Sequence, residues 1–133
     1  MTRRQVKAVE ALVVLERVGG ESTSAELART LALSRDSVHQ LLLPLARGGW
    51  VAAGRGRLGG YRATKAAAKA SILEVVSTFS RDVSGETTRE APRWLHRLER
   101  KADDAYRRVL SSITIGEIAE RERAEKNALS WVI

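Results

Sequence analysis

The residues best suited to bind an anion are the cations of one short span in the middle of the chain. Residues 37–73 hold six basic side chains and no acidic one, whereas residues 1–36 carry a net charge of +1 and residues 74–133 a net charge of zero. Nearly all of the net charge of +7 therefore lies in this span. A localised basic patch is typical of a protein with an anionic partner, most often nucleic acid. A merely solvated basic surface is the alternative interpretation.

Three arginines lie in a glycine-rich part of the basic span. Arg55 and Arg57 flank Gly56, and Arg62 follows closely. Arginine is attracted by the negative potential of a DNA minor groove, and glycine lets the backbone approach phosphates. We therefore expect DNA contacts from Arg55, Gly56, Arg57 and Arg62.

The same segment matches the glycine pattern of a dinucleotide-binding turn, Gly54-x-Gly56-x-x-Gly59. That turn needs a helix directly after the glycines and an acidic residue about 20 residues further on. Here a predicted strand, Tyr61–Ala63, follows, and the next acid is Glu74. The pattern therefore does not indicate a nucleotide-dependent enzyme.

The chain has no cysteine and two histidines, His39 and His96. The lack of cysteine excludes disulfides, a thiolate nucleophile and Cys-ligated zinc or iron–sulfur sites. The acidic residues alternate with arginines along the predicted helices, which is typical of surface ion pairs and not of catalytic or metal-binding carboxylates. We therefore expect neither an enzyme nor a metal cofactor. No signal peptide or membrane span is visible, and we expect a cytoplasmic protein without a membrane partner.

A helix-turn-helix pattern precedes the basic segment. Thr23-Ser-Ala-Glu26 is a capping box that opens a helix to about Leu31, and Ser34 can cap a helix that starts at Arg35. The start of the second helix of such a motif enters the major groove, and helix N-termini can bind phosphates. We expect DNA contacts from Thr23, Ser24, Ser34, Arg35, Asp36, Ser37, His39 and Gln40.

The surrounding elements predict a mainly α protein, a winged helix-turn-helix with a two-stranded β wing. A helix over 5–18 precedes the motif, and strand candidates at 50–53 and 61–63 flank the glycine-rich turn. A capping box at Ser71–Glu74 opens a helix to about Phe79. We divide the chain into a DNA-binding domain (1–80), a loop (81–91) and a helical dimerisation extension (92–133).

Residues 92–111 predict a long helix with one apolar stripe and basic residues on its other faces. Thr114 caps a last helix to about Lys126. Dimerisation through the stripe would double the DNA contact and match a palindromic site, whereas packing on its own chain is the alternative. The predicted dimerisation residues are Leu95, Leu98, Ala102, Ala105, Tyr106, Val109 and Ile113.

Two functions fit these features. The first is a sequence-specific transcriptional regulator that binds double-stranded DNA as a homodimer. The alternative is a winged-helix interaction module that recruits an acidic protein partner. We favour DNA binding because a protein-binding module does not need three arginines in the eight residues 55–62 without an acid.

Two runs, Leu45-Ala-Arg-Gly-Gly-Trp-Val51 and Arg55-Gly-Arg-Leu-Gly-Gly-Tyr-Arg62, resemble the Rrf family of bacterial winged helix-turn-helix transcriptional regulators. The resemblance covers about residues 6–120, and the wing pattern Arg-Gly-x-x-Gly-Gly-Tyr is its most specific part. It implies a homodimer with crossed long helices and Arg55 in the minor groove. Asp36, Ser37, His39 and Gln40 would line the recognition helix.

Many members of this family hold an iron–sulfur cluster through three cysteines in the loop before the long helix. The corresponding loop here, 81–91, has none. The resemblance therefore implies a regulator without a cluster, whose effector is a small molecule, a protein partner or absent. Trp94 and His96 are candidates to line a ligand pocket, with packing and surface roles as the alternative.

Overall fold

The computed structural model describes residues 1–54, 60–79 and 91–132, the last six as backbone alone. Their order of elements confirms the predicted winged helix-turn-helix with C-terminal helices. The elements are α1 (Arg3–Val18), α2 (Ser24–Leu31), α3 (Arg35–Arg47), β1 (Val51–Ala53), β2 (Tyr61–Ala63), α4 (Ile72–Ser77), α5 (Arg93–Ser112) and α6 (Ile115–Val132).

Helix α1 is the central element of the core, because it packs against α2, α3, α4, α6 and β2. Its small and branched apolar residues Ala8, Leu12 and Leu15 are fully buried. Gln5 is buried as well, and its Nε2 donates a hydrogen bond of 3.0 Å to the carbonyl oxygen of Val76. This bond ties the start of α1 to α4 and satisfies a polar side chain inside the core.

Helix α3 continues through Pro44 to Arg47. Proline has no N–H group, so the carbonyl of Gln40 loses its partner within the helix. The Arg4 guanidinium donates to this carbonyl at 3.5 Å and lies 5.0 Å from the ring centroid of Phe79. Arg4, near the start of α1, therefore contacts both α3 and Phe79, which follows α4.

Helix α6 returns along α1 and places Ile115 and Ala119 in the common core. It ends at Val132, so the predicted end near Lys126 is wrong by six residues. At its start the Gly116 amide donates to the Ala68 carbonyl oxygen at 3.0 Å. None of the described helices is both long and apolar enough to cross a lipid bilayer.

Candidate nucleic-acid interface

Helices α2 and α3 form the helix-turn-helix that the capping signals predict. The Thr23 hydroxyl accepts from the Glu26 amide at 3.1 Å, and the Glu26 carboxylate accepts from the Thr23 amide at 3.2 Å. Ala32 ends α2 in the left-handed region with φ of +54°, which turns the chain towards α3. The Leu33 amide then donates to the Ala28 carbonyl at 2.9 Å, so local hydrogen bonds define the turn.

The first two turns of α3 present a polar surface. Ser34 caps the helix, because its hydroxyl accepts from the Ser37 amide at 3.1 Å and donates to the Ser37 hydroxyl at 2.9 Å. The apolar positions Val38, Leu41 and Leu42 are buried, which turns the opposite face outwards. The predicted contact residues on this outward face are all exposed: Arg35, Asp36, Ser37, His39 and Gln40.

The base of the wing is a short antiparallel ribbon that is paired on both sides of Tyr61. Within the ribbon Tyr61 is opposite Ala53, and the Gly54 amide donates to the Gly60 carbonyl at 2.5 Å. On its other side Tyr61 exchanges two hydrogen bonds of 2.8 Å with the backbone of Ser22. The backbone of Tyr61 is therefore fixed relative to the segment that leads into α2.

Among the four predicted wing residues, Arg62 is within the described part of the chain and is exposed. Successive residues of a strand point to opposite faces, so Arg62 faces away from its neighbour Tyr61. The predicted contact residues Arg55, Gly56 and Arg57 lie outside the described residues. The strand β2 that follows them confirms that no helix directly follows the glycine pattern.

A contact that the sequence does not reveal joins α3 to the wing. His39 Nδ1 lies 2.8 Å from the hydroxyl oxygen of Tyr61. The two rings meet edge to face, with centroids 6.0 Å apart and an interplanar angle of 65°. His39 is exposed, and Tyr61 is half-buried against the core. The wing pattern includes Tyr61, but its partner depends on where the hairpin folds back.

Helix α5 has no fully buried residue and packs mainly against α4. One face is half-buried against its own chain and includes Leu95 and Tyr106. The adjacent face is apolar and exposed: 64% of Trp94, 56% of Leu98 and 55% of Val109 are accessible to solvent. The predicted dimerisation stripe is thus divided, with Leu98, Ala102, Ala105 and Val109 exposed and Leu95, Tyr106 and Ile113 half-buried.

The candidate ligand pocket lies at the start of α5. Trp94 is exposed and His96 is half-buried, while the predicted loop 81–91 is described at Ala91 alone. Within residues 1–54, 60–79 and 91–126, no three His, Cys, Asp or Glu side chains form a group that could hold a metal ion. A pocket at this junction stays a prediction.

Comparison with known proteins gives a family and a fold. The chain matches the Rrf2 family model, described as an iron-dependent transcriptional regulator, over residues 1–121. No curated protein matches it. CymR of Staphylococcus aureus is similar with a TM-score of 0.80 and 23% identity, over 90% of this chain and 97% of that chain.

Two further solved structures have the same fold. CymR of B. subtilis has a TM-score of 0.79 and 22% identity, over 91% of this chain and 96% of that chain. IscR of T. potens has a TM-score of 0.74 and 19% identity, over 92% of this chain and 87% of that chain.

Proposed function

The chain belongs to the Rrf2 family of transcriptional regulators, as its sequence indicates, and on this premise we propose that it is a sequence-specific DNA-binding regulator that acts as a homodimer. The observation that carries this proposal is the exposed polar start of α3, which opens a stretch of sequence, residues 37–73, with six cations and no acid. The partner is a palindromic double-stranded DNA, with α3 in the major groove and the basic wing in the minor groove.

The chemistry of α3 suits base and phosphate recognition. The Gln40 amide can pair with both groups on the adenine edge, and Arg35 with guanine or a phosphate. The half-buried Thr23 and Ser24 lie at the N-terminus of α2, where free backbone amides favour a phosphate. Phosphate contacts would orient the domain, and base contacts from α3 would supply the sequence preference.

The exposed apolar face of α5 supports the homodimer. Trp94, Leu98 and Val109 lie within an arc of about 60° and span roughly 22 Å of the helix axis. A row of large exposed apolar residues indicates an interaction surface, whereas scattered ones do not. Pairing with the same face of a second chain about a twofold axis buries both rows. The winged helix-turn-helix domains of the two chains would then bind the two halves of an inverted repeat.

An iron–sulfur cluster does not fit this chain. Cluster ligands are cysteine thiolates, occasionally with histidine, and the chain has no cysteine. The described residues also bring no suitable set of His, Asp or Glu together. The proposed regulation is therefore independent of a cluster, and the effector is a small molecule, a protein partner or absent.

DNA binding is tested by fluorescence anisotropy with labelled genomic duplexes over a range of salt concentrations. We expect the logarithm of the affinity to fall linearly with the logarithm of salt, by about 0.9 for each neutralised phosphate. Arg35→Ala should weaken DNA binding. The matched control is Arg100→Ala, which removes an exposed arginine on α5 and should weaken binding less.

Failure to bind any genomic duplex at low salt would overturn the proposal. Retention of an acidic polypeptide under the same conditions would instead favour the protein-interaction module.

A further inference from the structure

We propose that Tyr61 fixes the tautomer and orientation of His39, so that His39 Nε2 donates a hydrogen bond to an acceptor on a base edge in the major groove. The inference rests on the proposed DNA binding and names the class of base that this residue reads. Tyr61 is then a positioning residue, and His39 is a specificity-determining one.

The Tyr61 hydroxyl is held at a defined position. The Tyr61 backbone is paired with Ser22 through two 2.8 Å hydrogen bonds and is opposite Ala53 in the ribbon. Its ring packs against the core, so little freedom is left at either end of the residue. His39 is on a different element, in the second turn of α3, next to the fully buried Val38. The 2.8 Å contact thus links two independently anchored residues.

The chemistry of the contact selects one tautomer. A neutral imidazole has one N–H donor and one bare nitrogen acceptor, and the bond made by one nitrogen sets the role of the other. A phenol hydroxyl is a better donor than acceptor, and a bare imidazole nitrogen is a strong acceptor. The Tyr61 hydroxyl therefore donates to His39 Nδ1, and the ring proton is on Nε2. Because the two ring nitrogens point in diverging directions, Nε2–H faces away from Tyr61.

A fixed N–H donor discriminates among bases. In the major groove guanine presents two acceptors, N7 and O6, and adenine N7 and thymine O4 also accept, whereas cytosine presents an amino donor. We expect guanine to be favoured and cytosine disfavoured at the contacted position. One hydrogen bond corresponds to roughly a two- to tenfold preference.

The first test needs no DNA. Long-range ¹H–¹⁵N NMR correlations of the histidine rings, in alkaline buffer, report which nitrogen is protonated. We expect His39 to be protonated at Nε2, with Nδ1 at the shift of a hydrogen-bonded acceptor. Tyr61→Phe should move the Nδ1 resonance towards its unbonded value while His96 stays unchanged. Protonation at Nδ1, or an unchanged Nδ1 resonance in Tyr61→Phe, would overturn the inference.

The second test is selection of binding sites from a pool of random duplexes. His39→Ala should lose the guanine preference at one position of each half-site and retain the others. Tyr61→Phe should weaken that same preference about two- to threefold, whereas the control Arg100→Ala, at an exposed position on α5, leaves it intact. A cytosine preference at that position, or unchanged selection by His39→Ala, would overturn the inference. No enrichment by the wild type refutes the proposed function instead, and the NMR test still decides the tautomer.

Discussion

Leu98→Glu should convert the proposed dimer into a monomer without unfolding it. Leu98 is 56% exposed in the single chain, so the substitution removes little from the core of the protomer. Full burial of a leucine stabilises by about 1.5–3 kcal/mol, so covering its exposed part contributes roughly 1–1.5 kcal/mol. A twofold-symmetric interface covers Leu98 of both chains, so the contribution doubles to about 2–3 kcal/mol per dimer.

Loss of that contribution raises the dimer dissociation constant by roughly 30- to 150-fold, since about 1.4 kcal/mol corresponds to a factor of ten. The introduced carboxylates add a desolvation cost, so this range is a lower bound.

Sedimentation velocity over a range of micromolar concentrations measures the dimer dissociation constant, and circular dichroism checks that the helices remain. The matched control is Arg100→Glu, because Arg100 is exposed and lies about 200° around the helix from Leu98. A Leu98→Glu protein as dimeric as the wild type would refute the reasoning, as would a wild type that is monomeric at these concentrations.

Two other substitutions test the fold and the wing. Gly116→Ala would place a Cβ 2.8 Å from the Ala68 carbonyl oxygen, and we expect a loss of about 1–3 kcal/mol in denaturant unfolding. Gly20→Ala, where nothing lies within 4 Å of the added Cβ, should change the unfolding free energy little; equal losses in both would contradict the close approach. Arg55→Ala should weaken specific DNA binding about tenfold or more in anisotropy titrations, and more than Arg100→Ala. Equal effects of the two arginine substitutions would contradict the assigned wing geometry.

The features that the sequence predicts well depend on neighbouring residues. The capping box of Thr23 and Glu26 forms as expected, and the helix after it ends at Leu31 as expected. Ser34 likewise caps a helix that starts at Arg35. Such signals are reliable because the side chain and the amide that it caps are three residues apart.

The features that the sequence does not predict depend on contacts between distant segments. The spacing of the stripe on α5 is visible, but which part packs against α4 is decided by tertiary packing. The predicted end of α6 is too early, although Ala128, Leu129 and Val132 recur at helical spacing in its last turns. The contacts of Arg4 with Gln40 and of His39 with Tyr61 join residues 36 and 22 positions apart, and no local signal marks them.

The central claim, that a homodimer recognises a specific DNA sequence, is tested most directly by selecting duplexes from a random pool with the wild-type protein. We expect enrichment of one inverted repeat with half-sites about one helical turn or a multiple of it apart, bound by two chains per duplex. Failure to enrich any sequence, or enrichment of a site without twofold symmetry, would contradict it.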